Sequence, residues 1–199
     1  PAAADSQARR PHRRELQGAP PVSYDALMAL ARQRRSVRWF LPEPVPRELV
    51  DQAIELAAQA PSACNRQPFK YRIYDDPDRV AALAEVPMGT GGWGNNIPML
   101  IAVVGQLRAY FNPRDRHLIY IDGSLSAMAL MLALETLGLG SCPINCPEQA
   151  GRDRTLSRQL GLDSDERVVM LIAVGRPDPE GMVAYSQRKC LDDLRSYNE

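Results

Sequence analysis

Four short segments carry the side chains able to do chemistry. The first, Arg34-Arg35-Ser36-Val37-Arg38, puts three guanidiniums and a hydroxyl within five residues. A phosphate monoester presents negative charge on three acceptor oxygens, which arginines meet with paired, charge-assisted hydrogen bonds and a hydroxyl with one more. A solvated basic turn has the same composition, so this segment alone decides nothing. The second, Pro61-Ser62-Ala63-Cys64-Asn65-Arg66-Gln67-Pro68-Phe69, is small, polar and rich in carboxamides. Asn and Gln offer donor and acceptor together and can read the edge of a heterocycle; a plain turn between helix and strand is the alternative. The third, Gly140-Ser141-Cys142-Pro143-Ile144-Asn145-Cys146-Pro147, has small residues that let a flat ligand approach backbone N–H donors. The fourth, Ser186-Gln187-Arg188-Lys189, is a short basic patch that in isolation reads as solvated tail.

Whole-chain composition narrows the partners. Lys plus Arg and Asp plus Glu number 24 each, a formal charge of zero. No general attraction to nucleic acid or to an anionic membrane follows, so any anion site is local. The 4 cysteines lack zinc-knuckle spacing and there are only 2 histidines, so no metal is expected. Cys142 and Cys146 do not have a recognised redox spacing. Residues 1–22 carry Arg9, Arg10, Arg13 and Arg14 without the apolar run of an export signal, and read as a flexible basic arm. A chain opening on Pro is expected to have been processed or trimmed, and reduced thiols in a cytoplasmic protein are the default. The 199 residues suit one domain, 23–199, with a sizeable core.

These segments need elements to hold them. Ser23 can cap a helix from Tyr24 to about Arg34. Pro42, Pro44 and Pro46 force an extended link, and Pro46 suits the first turn of a second helix, to about Ala60. Phe69 to Tyr74 alternates as a strand, and Asp76-Pro77 opens a short helix to about Ala84. A Gly-rich loop, Gly89 to Asn96, precedes Met99 to Val104, an unbroken apolar run that implies a strand buried on both faces. The most apolar stretch is Leu118 to Leu137. Asp122, Ser124, Ser126 and Glu135 interrupt it, leaving less than the roughly 20 residues of a membrane span, so it reads as a core or interface helix. A strand at Leu139 to Ile144, a helix at Glu148 to Leu160, a strand at Arg167 to Val174 and a short helix near Leu191 to Arg195 complete an α+β, three-layer order.

In this order, with the first two about 25 residues apart, the segments resemble the FMN-dependent nitroreductase family. The likeness runs from about Tyr24 to the C-terminus and includes Trp93 to Pro98 and the Gly-Leu-Gly-Ser-Cys-Pro-Ile-Asn turn. It implies a three-layer fold with a mixed central sheet flanked by helices, in an intertwined homodimer whose core holds the long apolar helix. It implies FMN at each interface. Arg34, Arg35, Ser36 and Arg38 would hold the phosphate and ribityl end, joined by Arg188. Pro61, Ser62, Ala63 and Asn65 would line the flavin from the other subunit. Pro143, Ile144 and Asn145 would lie against the isoalloxazine, with the Asn145 backbone N–H near N5. Asn145 stands where many members have an acidic residue, and the loop around Thr90 lacks the Lys or Asn often found there. The implied activity is an oxidoreductase taking hydride from NAD(P)H and passing it to a small nitroaromatic, quinone or enone by a ping-pong cycle. The loop Gln106 to Arg116, with Tyr110 and Phe111, is the candidate substrate cover. A dehalogenase, a dehydrogenase, a flavin-fragmenting enzyme and a non-catalytic FMN store are the alternatives.

Overall fold

The computed structural model describes residues 20–146 and 148–198. Most of the basic arm, with its four arginines, and Pro147 lie outside them. Ser23 caps α1 (Tyr24–Gln33), its hydroxyl accepting from Ala26 N–H at 3.1 Å. Pro46 stands one place earlier than expected, as the N-cap of α2 (Arg47–Ala57). β1 (Phe69–Tyr74) leads to α3 (Pro77–Ala84), where Asp76 accepts from Arg79 N–H at 3.0 Å and Pro77 opens the helix. The Gly-rich loop winds through short 3-10 turns into β2 (Met99–Gln106). After another irregular stretch come α4 (Leu118–Thr136), β3 (Gly140–Ile144), α5 (Ala150–Leu160) and β4 (Glu166–Gly175). Left-handed Gly138 and Gly161 let the chain turn away where α4 and α5 end.

The sheet order is β1-β2-β4-β3, every neighbouring pair antiparallel. One isolated parallel bridge, Ser36 to Ser141, lies outside the named strands and is the only parallel pairing among the described residues, so the sheet expected to be mixed is antiparallel in all four of its strands. The unbroken apolar run of β2 has its reason in the layers. Met99, Ile101 and Val103 face one core with Val50 and Ala53 of α2 and Leu130 and Leu134 of α4. Leu100, Ala102 and Val104 face the other, with Val80 and Leu83 of α3 and Leu156 and Leu160 of α5. Each large side chain so buried contributes about 1.5–3 kcal/mol, and β2 supplies both cores at once.

The segment from Pro113 to Thr136 is long and apolar enough to cross a bilayer. In the fold its inner face, including Ile119, Ala127, Leu130 and Leu134, is fully buried. Ser126 is satisfied there by donating to Ala57 O at 3.0 Å and sharing a hydrogen bond with Tyr71 OH. The outer face leaves Tyr120, Ile121, Leu125 and Met128 exposed, and α1, packed on α4, buries no residue of its own. The helix expected near Leu191 to Arg195 is absent. Leu194 and Arg195 N–H both donate to Leu191 O, which closes a single turn. Leu191 and Leu194 stay exposed, so no packing offsets the cost of nucleating a helix.

One buried charge ties the irregular stretches down. Glu166, 3% exposed, accepts from Arg72, Arg108 and Gln106. Burial pushes its carboxyl up, but the hydrogen bonds from Gln106 and Asp163 N–H and the charges of Arg72 and Arg108 outweigh this and hold it below the ordinary range. A lowered folded value stabilises fully above the unfolded pKa, about 4.3, and the contribution fades as pH falls through the folded value. Glu166→Gln is expected to cost about 1.5–3 kcal/mol at pH 7, the scale of hydrogen bonds to a charged group. It should also flatten the acid-side fall in urea-unfolding stability; equal fall in both proteins would place that dependence elsewhere.

Candidate active site

The arginine segment is held against the sheet by its own backbone. Val37 N–H donates to Ser141 O at 3.0 Å, and Ser36 bridges Ser141 in parallel. This lays Arg34 to Arg38 along β3 and brings the first and third sequence segments together. The approach requires a glycine: a Cβ at Gly140 would sit 3.0 Å from Val37 Cβ and 3.0 Å from Pro177 Cγ. From the other side Asn96 clamps the segment, its Nδ2 donating to Arg38 O at 2.5 Å and its Oδ1 accepting from Phe40 N–H at 3.3 Å. The Arg38 guanidinium lies 5.8 Å from the centroid of Trp93, whose indole donates to Gly89 O at 2.9 Å.

Arg38, Trp93, Pro143, Ile144 and Asn145 line a cleft of about 470 Å³, within the size range of small-molecule sites. Pro143 and Asn145 are exposed to it while Ile144 is anchored in the core. Two polar atoms nearby are buried without partners, Arg34 Nε and Ser141 Oγ. Such groups are uncommon in folded proteins and mark places where a ligand can complete the hydrogen bonding. Cys142 lies within reach of Ser36, Arg38 and Arg34. Burial pushes its thiol up, and Arg38, the Ser36 hydrogen bond and Arg34 offset only part of that, so it stays protonated. A larger hollow of about 680 Å³ opens on Trp39, Glu85 and Arg152 and is lined by the Gly-rich loop, Thr90 and Trp93 included, but by none of the four chemistry-bearing segments.

The second segment lies elsewhere in the single chain: none of Pro61, Ser62, Ala63 and Asn65 lines the cleft. It forms a turn in which Cys64, Asn65 and Gln67 adopt φ of 52°, 53° and 48°. None is glycine, and such left-handed residues cost of order 1–3 kcal/mol each. Ser62 accounts for part of the restraint, with its Oγ accepting from Gln67 N–H at 2.9 Å. Asp122 of α4 accounts for more, with Oδ2 accepting from Ala63 N–H at 3.0 Å and from Tyr110 OH at 2.6 Å. Burial, then this carboxylate, pushes the Tyr110 phenol well up, so it remains a donor. Arg66 completes the tie, donating to Ala109 O at 2.9 Å with its guanidinium 4.6 Å from the Phe111 centroid.

Of the remaining expected residues, Arg35 donates to Ala184 O, which brings the C-terminal segment to the arginines. Arg188 is exposed farther along that segment. Phe111 is fully outside the core. Thr90 is buried, its hydroxyl directed to Ala84 O at 2.6 Å and Pro87 O at 3.0 Å. Sequence reasoning missed Asp122, Asn96 and Ser141. For Asp122 a signal existed, since a carboxylate in the midst of an apolar helix needs partners once buried. Gly140→Ala is expected to destabilise by about 1–3 kcal/mol through overpacking and to speed hydrogen exchange at Val37 N–H. Unchanged exchange there would show that the segment tolerates the methyl.

The profile described as "Nitroreductase family" matches residues 31–92 and 86–176. Iodotyrosine deiodinase 1 of Pongo abelii is 28% identical over 196 residues, covering 83% of this chain and 66% of that protein. The chain spans about two thirds of the length of the deiodinases it matches. NADH dehydrogenase of Thermus thermophilus is 29% identical over 183 residues, covering 76% of this chain and 86% of that one. A nitroreductase from Desulfovibrio desulfuricans, solved in complex with FMN, superposes with a TM-score of 0.72 at 26% identity, over 92% of this chain and 99% of its own. The layered sheet, the arginine segment paired to β3 and a family match over most of the chain agree: the protein belongs to the nitroreductase family.

Proposed function

We propose that the chain binds FMN and is an oxidoreductase that takes hydride from NAD(P)H and reduces a small organic acceptor, such as a nitroaromatic or a quinone, by a ping-pong cycle. The observation that carries this reading is the pair of buried, unpartnered atoms, Arg34 Nε and Ser141 Oγ, beside the pinned arginine segment. They fit a ligand with a phosphate and several acceptor oxygens. When bound, FMN supplies the two-electron chemistry.

In this reading the chain's residues bind and orient. Arg34, Arg35, Ser36 and Arg38 hold the phosphate and ribityl end, with Arg188 approaching from the C-terminal segment. Pro143, Ile144 and Asn145 form the wall against the ring system, and the Asn145 backbone N–H donates to it. Pro61, Ser62, Ala63 and Asn65, which do not reach the cleft of their own chain, serve the site of a partner subunit. A homodimer also accounts for the apolar outer face of α4, with Ile121, Leu125 and Met128, which would otherwise stay in water. Residues 23–199 make the binding domain and 1–22 an arm. Tyr110 and Phe111 border the acceptor.

The purified protein is expected to be yellow and to bleach on anaerobic addition of NADH or NADPH. A colourless preparation that takes up no added FMN overturns the reading; a yellow one that neither nicotinamide bleaches points to a flavin store. Arg38→Ala is expected to weaken FMN binding by about 1–3 kcal/mol, the scale of a charged hydrogen bond. Undiminished flavin retention on gel filtration would show the phosphate lies elsewhere.

A second reading, reductive dehalogenation of a halogenated phenol, is favoured by the deiodinase relatives at 28% identity. There the carbon–halogen bond gives way to carbon–hydrogen with two electrons and a proton, and halide leaves. Halide release from iodotyrosine, against turnover of a nitroaromatic at equal flavin loading, separates the two.

A further inference from the structure

Asp122 is a carboxylate on the inner face of α4, 3% exposed. Both its recorded hydrogen bonds converge on Oδ2, from Ala63 N–H at 3.0 Å and Tyr110 OH at 2.6 Å. Ala63 opens the turn in which Cys64, Asn65 and Gln67 are left-handed without being glycine. Such a turn persists only where its surroundings hold it. Ser62 holds it from within, accepting from Gln67 N–H with its hydroxyl and from Asn65 N–H with its carbonyl at 3.0 Å. The other two ties leave the turn, and they end together. One is Asp122. The other is Arg66, which reaches Ala109 O and the Phe111 ring, either side of the Tyr110 that donates to Asp122. The contacts close a circuit from Ala63 through Asp122, Tyr110 and Ala109 to Arg66.

We propose that Asp122 is a positioning residue that clamps the strained turn 62–67 in its cofactor-facing shape and, through Tyr110, locks it to segment 109–111, so that the two loops move as one. The cofactor-facing part rests on the FMN reading given above. Asp122 touches neither cofactor nor acceptor; it acts through the Ala63 backbone. Displacing Tyr110 removes one of the two donors to Oδ2, so rearrangement of the acceptor-side loop loosens the turn that lines the flavin. Contact with cofactor and access of acceptor are thereby coupled.

The test uses the full chain with and without FMN, in the parent and in the variants Asp122→Asn, Tyr110→Phe and Asp122→Asn/Cys64→Gly. Hydrogen exchange of amides 62–67 is read alongside FMN affinity and the visible band of bound FMN. Asp122→Asn is expected to speed exchange of those amides and to raise the FMN Kd by about tenfold, the scale of one charge-assisted hydrogen bond, with altered band shape. Cys64→Gly removes the steric cost of the left-handed residue without restoring the carboxylate, so the double variant is expected to recover most of the affinity and the parent band. A role of Asp122 confined to holding α4 together would not be rescued by a glycine in another loop. Should Asp122→Asn fail to fold, Tyr110→Phe, which keeps ring and carboxylate, gives the same pattern more weakly. Unchanged exchange of 62–67 in Asp122→Asn and Tyr110→Phe, or an affinity loss that Cys64→Gly leaves in place, overturns the proposal. A parent chain that takes up no FMN overturns the cofactor reading instead, and exchange in the FMN-free chains then decides the clamp.

Discussion

The pairing of Ser36 and Val37 with Ser141 is the contact on which the candidate site depends. β3 is the last strand of its sheet, and its outer backbone groups need partners. The chain leaving α1 supplies one, with Val37 N–H on Ser141 O. That single parallel bridge fixes two things together. It lays a cationic segment along the sheet edge, and it leaves the end of the same strand and the residue that follows it, Pro143 to Asn145, at the cleft in front of Arg38. Gly140 permits the approach, and Asn96 and Trp93 brace the segment from the far side. The chain has zero formal charge, so the positive charge along this edge comes from the local arginine segment and not from an overall field.

A different balance governs the turn after α2. Its left-handed residues carry conformational cost, offset by hydrogen bonds that leave the turn for α4 and for segment 109–111, which Tyr110 joins. Arg108 extends the same scheme, binding Asp163, Asp165 and the buried Glu166 and so fixing the start of the segment that ends at Tyr110. Loops that lack a core of their own are held here by charges buried at the margins of the two real cores.

Most of the framework was legible in the sequence because it follows from periodicity and punctuation. Ser23, Asp76, Gly138 and Gly161 mark helix ends by local chemistry, and the unbroken run of β2 announces a strand covered on both sides. Distance along the chain limited the rest. That Arg34 to Arg38 pairs with a strand about a hundred residues later is a tertiary fact with no local signature. The composition of α4 fits a core helix, an interface helix and a membrane span alike; only packing against α2 and β2 shows which face is covered. Tyr110 carries no sequence mark of its hydrogen bond to Asp122, because that geometry depends on how the preceding loop folds back over the helix. At Leu191 to Arg195 helix-compatible residues found no surface to bury against, and local preference alone was insufficient.

The place of β2 in the sheet has a consequence in time. It pairs with β1, made before it, and with β4, which begins about sixty residues after β2 ends. At roughly 5–20 residues per second of synthesis, Met-Leu-Ile-Ala-Val-Val-Gly-Gln waits some 3–12 seconds with one edge unpaired. It is charge-free, apolar and rich in β-formers, the composition most prone to pairing with a neighbouring copy. Pro98, directly before it, denies one backbone donor to such a partner. Before the chain can discriminate among ligands, its central strand must get through the interval of its own synthesis.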